Sequence, residues 1–156
     1  GTVQQGGGGC ICPEATILKA LMNHLVLARN EVVVMDMEAG VEHLGRATSG
    51  SVDALIIVVN PGKRSRVAAD KIRKLGSDIG IKKIVILGNR VRSREDEQLI
   101  AKDLSDYDIL GFIPEHDDIV QSDRTGDRPF DDITTVPDAF KEVIQKLLAL
   151  ENNPAS

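Results

Sequence analysis

Apolar residues along this chain recur with two different periods, and each change of period marks out an element. Residues 13–29, PEATILKALMNHLVLAR, place Ile17, Leu18, Leu21, Leu25 and Val26 at helical spacing, and Pro13 suits a first helical turn. EVVVMD (31–36) then predicts a short buried strand ending on an acid, and GVEHLGRATSGS a short helical or irregular segment. DALIIVVNP (53–61) predicts a second strand, stopped by Pro61. Residues 64–79 predict an amphipathic helix with Val67, Ile72, Leu75 and Ile79 inward and Arg and Lys outward. A third strand follows at 81–89, a helix at 94–104, and a fourth strand at 108–114, again ended by proline. Residues 115–132 are polar and read as irregular, residues 136–150 as a final helix, and ENNPAS (151–156) as a frayed tail.

Strands alternating with helices at this spacing predict βαβ units, a mostly parallel sheet and right-handed crossovers. The expected fold class is therefore α/β, three layers with helices on both faces of the sheet. No internal repeat or linker interrupts residues 1–150, so one domain is expected there, and 156 residues suffice for its core. Aromatics are only 3% of the chain and Trp is absent, so Val, Ile, Leu and Ala must build that core, as suits a buried parallel sheet. A net charge of -5 argues against a nucleic-acid binder. There is no apolar run long enough to span a bilayer and no signal peptide, so no membrane association is expected. Two cysteines are too few for a disulfide scaffold, which makes a cytoplasmic location the default.

Ligands of such sheets bind at the carboxyl ends of the strands. The segments there are Asp36 to Gly40, Asn60 to Gly62, Asn89 to Arg92, and Ile113 to Glu115. An acid at a strand end can hold a Mg²⁺ shell through water, and a glycine four residues on lets backbone N–H approach a phosphate. The alternative for Asp36 and Gly40 is an ordinary strand-end turn. Cys10 and Cys12 form a Cys-x-Cys pair behind four glycines. They supply two thiolate ligands or remain free thiols, and a disulfide between them would be strained. His24 reads as a surface or packing residue, and His116 as solvent-facing. His43 stands beside Glu42 and Arg46, and either makes a structural hydrogen bond or signals ligand state. GKRSR (62–66) reads as a solvated helix start, with a phosphate or partner contact as the alternative. REDEQ (94–98) reads as a first helical turn whose acids suit the helix dipole.

DMEAGVEHLGRAT (36–48) resembles the A′ motif and following switch segment of the deviant-Walker P-loop ATPases, the class of MinD, ParA and nitrogenase iron protein. In company with GGGCICPE, it is similar to one branch, the CooC-type maturation factors of carbon monoxide dehydrogenase, ATPases assigned to nickel insertion. VILGNRV and GFIPEHDDIVQSDRTGDRPFDD also resemble that family's later strands and base-side loop, so the likeness covers nearly the whole chain. The resemblance implies that Asp36 contacts the Mg²⁺ shell of ATP or ADP and that Gly40 lies against the γ-phosphate. It implies that 41–48 moves with nucleotide state. It implies that Asn89 hydrogen-bonds the adenine edge, with Arg90 where the family has lysine, and that Pro114 and Glu115 border the base. It implies Ni or Zn at Cys10 and Cys12, and carbon monoxide dehydrogenase as client. Two thiolates are half of a four-ligand site, and a two-fold axis through a homodimer would supply the rest.

The family's P-loop, GxxxxGK[ST], does not occur in this chain. The resemblance therefore casts residues 1–150 as the C-terminal portion of a P-loop ATPase-like domain, without the N-terminal strand and P-loop. As given, it is a natural fragment, a trimmed chain or half of a split protein. It is expected not to hydrolyse ATP alone, and to leave part of its sheet edge uncovered. Two alternatives stand beside the metallochaperone reading: a non-catalytic α/β interaction module, and a MinD- or ParA-like ATPase fragment. The second lacks support from a C-terminal amphipathic membrane helix or a basic DNA-binding surface.

Overall fold

The computed structural model describes residues 32–36, 52–130 and 137–151. Within them the order of elements is β1 (Leu55–Val59), α1 (Lys63–Asp78), β2 (Ile84–Val91), α2 (Arg94–Asp103), β3 (Asp108–Pro114), α3 (Asp117–Thr125) and α4 (Asp138–Glu151). The strands form one three-stranded sheet of order β1–β2–β3, with β2 and β3 parallel. The fold is α/β, as the alternation of periods predicts. The predicted helix at 13–29 lies outside the described residues.

Two compact units divide the chain: segments 1–55 with 68–84, and segments 56–67 with 85–156. In the first, Leu75, Ile79 and Ile81 are buried together, with Met35, Val52, Leu55, Ile72 and Ile84 packed against them. The chain reverses sharply to bring Ile81 into that cluster. Gly80 takes a left-handed conformation (φ 96°), its N–H bonds the Ser77 carbonyl at 3.0 Å, and the Ile81 N–H bonds the Gly76 carbonyl at 3.0 Å. This is the glycine-capped ending of a helix that must turn back at once. Gly76 itself is buried, and a Cβ there would lie 3.0 Å from Leu55 Cδ2.

Two expectations fail here. Residues 32–36 belong to no strand of the described sheet, and Val32, Val33 and Val34 are exposed, while Met35 reaches the core cluster. An apolar run forms a strand only where a partner completes its ladder, and no described strand pairs with this one. Val67, expected inward on α1, is 72% exposed. It sits five residues before Ile72, about 140° around the helix. Ala69, three before Ile72, takes the inward place and is fully buried.

In the second unit, β2 and β3 carry the core: Val85, Ile86, Val91, Leu110 and Ile113 are buried. Helix α2 begins at Ser93, whose hydroxyl accepts from the Asp96 N–H at 3.4 Å, and Glu95, Asp96 and Glu97 fill its first turn. That is the dipole-matched helix start expected of the acidic run. Ile100 of α2 and Phe112 of β3 close over Gly88, where a Cβ would meet Phe112 Cδ1 at 2.5 Å. Helix α4 packs on β3 equally tightly, because a Cβ on Gly111 would meet Val143 Cγ2 at 2.8 Å. Arg66 is not a solvated helix-start residue. It donates to the Asp103 carbonyl at 2.6 Å and to Asp106 Oδ1 at 2.6 Å, and its guanidinium lies 5.7 Å from the Tyr107 ring.

Residues 115–132 are not uniformly irregular. They contain α3, which starts at His116 and ends at Gly126, left-handed at φ 76°. Its signals are in the sequence: Asp117 and Asp118 in the first turn, Arg124 in the last, then glycine. It buries no residue, so the apolar periodicity that reveals other helices is missing.

Replacing Gly88 by Ala should destabilise the chain by about 1–3 kcal/mol, because the added methyl must displace Phe112. Urea denaturation of the variant against the native chain measures this, and an unchanged midpoint contradicts the close packing.

Candidate functional site at the ends of β2 and β3

Strands β2 and β3 do not run in constant register. Ile86 faces Ile109 but Leu87 faces Gly111, so β3 carries an extra residue at Leu110. Gly88 faces Phe112 and Val91 faces Pro114, so β2 carries an extra residue in turn at Asn89–Arg90. The second irregularity restores the original register and pushes Asn89 and Arg90 out of the ladder. Bulges of this kind re-aim side chains at sheet rims. Arg90 is the one non-glycine residue among those described with a positive φ, 55°. For a residue with a Cβ this conformation costs roughly 1–2 kcal/mol.

The next residues of both strands are held together by a carboxylate. The Glu115 N–H donates to the Val91 carbonyl at 3.0 Å. The Glu115 carboxylate accepts from Arg92 Nε and, at 3.1 Å, from Arg92 Nη2, and from Arg90 Nη2 at 3.3 Å. The Glu115 side chain is 23% exposed, against 58% for Arg90 and 71% for Arg92. The Arg92 hydrogen bond, aided by the charges of Arg92 and Arg90, holds the Glu115 carboxyl below the usual carboxylate range, against a partial opposing effect of desolvation. Glu115 in return raises the Arg92 guanidinium. The Arg92 backbone N–H donates to Asp96 Oδ2 at 2.9 Å, joining this cluster to the start of α2.

The structure thus gathers Asn89, Arg90, Pro114 and Glu115 at adjacent strand ends, although 25 residues separate Arg90 from Glu115. Asn89 is half-buried, and its carboxamide has no hydrogen-bond partner among the described residues. An open groove of about 480 Å³ adjoins the strand ends, lined by Val91, Arg92, Glu97, Phe112, Pro114 and Lys146, among others. Its size suits a small-molecule ligand. Sequence reasoning missed Arg92 as the principal partner of Glu115. A cation two residues beyond a strand end was the available signal, but nothing local to it names the acid it meets.

His116 is not solvent-facing as expected. Its side chain is one-third exposed, its Nδ1 accepts from the Asp118 N–H at 3.3 Å, and its ring meets Phe130 edge-on at 5.5 Å. Phe130 meets Phe140 of α4 in the same manner at 6.0 Å. Asp36 is exposed, in the other unit. Gly40, Cys10, Cys12, His24 and His43 lie outside the described residues. Among the described residues no group of three His, Cys, Asp or Glu could hold a metal ion, and no helix is long and apolar enough to cross a membrane.

The chain is similar to an ATP-binding protein of Methanocaldococcus jannaschii, 37% identical over 97% of this chain and 60% of that protein. It is similar to the carbon monoxide dehydrogenase accessory protein CooC of Rhodospirillum rubrum, 42% identical over 81% of this chain and 48% of that protein. A second ATP-binding protein of M. jannaschii is 30% identical over 94% of this chain and 57% of its own length. No protein-family model matches. The chain spans about half of the length of the curated relatives it matches.

The depressed pKa of Glu115 gives the clasp a pH signature. Its stabilising effect is present above the unfolded carboxylate value, roughly 4.3, and is lost as pH falls through the lower folded value. A Glu115→Gln chain should therefore be less stable than the native chain at pH 7, and the two should converge in acid. Thermal melts across this pH range check it, and parallel curves would contradict the assignment.

Proposed function

We infer that the chain is a member of the CooC-like ATPase family, binds an adenine nucleotide and serves in the maturation of carbon monoxide dehydrogenase. One observation carries the nucleotide part of this reading. The unpartnered carboxamide of Asn89 stands beside Pro114 and Glu115 at the carboxyl ends of two parallel strands. An asparagine side chain offers one acceptor and two donors, which complement the donor and acceptor on the edge of adenine. Pro114, exposed at the end of β3, offers an apolar border for the base. Glu115 acts from the side, because its oxygens are engaged by Arg90 and Arg92.

Asp36 would hold the Mg²⁺ of the nucleotide through water, a role that an exposed carboxylate fits. Gly40 would lie at the γ-phosphate. Nickel is the cargo in this reading. Cys10 and Cys12 from two copies would bind Ni²⁺ or Zn²⁺ with four thiolates, so that metal capture and dimer closure become one event.

One observation favours a second reading, a non-catalytic interaction module. Val58 of β1 is 57% exposed and Val67 of α1 is 72% exposed, two apolar side chains that a partner could cover.

Two measurements separate the readings. Titrating MgADP into the ¹⁵N-labelled chain should perturb the amides of residues 88–92 and 114–116, and Asn89→Ala should weaken binding by roughly five- to hundredfold, the worth of a bidentate pair. Undisturbed amides would remove the nucleotide reading. Titrating Ni²⁺ into the reduced chain under light scattering should give about half a metal per chain and a doubled mass. Both should vanish in the Cys10→Ser, Cys12→Ser chain. One metal per monomer, or none, would sink the shared site.

A further inference from the structure

The bulge at Asn89–Arg90 raises a question that base binding alone does not answer. Arginine has neither the Cβ-free backbone of glycine nor the short local hydrogen bonds that let asparagine adopt positive φ. Something outside the bulge must hold Arg90 at φ 55°. Among the described residues its guanidinium has one partner, Glu115. The same carboxylate is held by Arg92 on the far side of Val91, and the Glu115 N–H bonds the carbonyl of Val91 between them. Upstream, Gly88 is locked under Phe112 and Ile100. Asn89 is thus suspended between one point immobilised by packing and another immobilised by a carboxylate.

We propose that Glu115 is a positioning residue: through Arg90 and Arg92 it holds the left-handed turn at Arg90 and so presents the Asn89 carboxamide to the base. This rests on the nucleotide reading above. Glu115 needs no contact with the ligand in this role. Both of its oxygens are already engaged by the two arginines, and what it transmits is backbone geometry. The site then reads the base with a residue of β2 whose aim is set by the first residue after β3. Any change that draws Glu115 off its arginines also lowers nucleotide affinity.

The test uses the whole chain as Glu115→Gln, and as Glu115→Gln combined with Arg90→Gly, since glycine holds positive φ without a clasp. Two quantities are read by NMR: the Cα and Cβ shifts of residue 90 without ligand, and MgADP affinity from the titration. Glu115→Gln should move the Arg90 shifts away from left-handed values and raise Kd about fivefold, the effect of one hydrogen bond. The double variant should return Kd to near that of the native chain. Unchanged Arg90 shifts and Kd in Glu115→Gln overturn the proposal. A raised Kd that the glycine does not rescue also overturns it, because Glu115 then acts on the ligand directly. Native Arg90 shifts in the left-handed range without any response to MgADP overturn the nucleotide reading, and the positioning role with it.

Discussion

The pairing of β2 with β3 is the constraint on which the second unit depends. It brings residues near 90 beside residues near 115, and its register slips once in each strand before being restored. The approach is close because glycines stand where side chains would intrude. Gly88 admits Phe112 and Ile100, and Gly111 admits Val143. The register is restored at the carboxyl end by a bulge whose backbone carries a left-handed arginine.

Electrostatics then acts on the strand ends that packing has brought together. Glu115 gathers two guanidinium groups within one carboxylate, and its pKa falls because both neighbours favour the charged form. Isolated surface ion pairs contribute little to stability. This one is a small network with a backbone hydrogen bond through its centre. Arg66 shows the other use of the same chemistry: bound to a backbone carbonyl, a carboxylate and a tyrosine ring, it fastens the start of α1 to the turn before β3.

Similarity to the relatives and strand-end geometry support each other without overlapping. The relatives speak for ATP binding and for an accessory role toward carbon monoxide dehydrogenase in those proteins. The geometry speaks for the place where a base would be read in this one. The metal half of the proposal rests on Cys10 and Cys12 alone and is open to test by stoichiometry.

The strands and the helices α1 and α2 from 53 onward were legible because each buries aliphatic residues, and burial leaves its period in the sequence. Leu55–Val59, Arg94–Asp103 and Asp108–Pro114 fall within three residues of their expected bounds. Helix α3 was not legible, because it buries nothing and so has no apolar period to show. Val67 and the valines at 32–34 misled for the complementary reason: apolar character states what a residue can bury, while only neighbours determine whether it does. The strand-end residues Asn89, Arg90, Pro114 and Glu115 could be named from the chain. That Arg92 is the main partner of Glu115, that Arg90 turns left-handed and that His116 packs on Phe130 were decided by tertiary structure. Each depends on register and distance between segments far apart in sequence, and a local pattern carries no information about either.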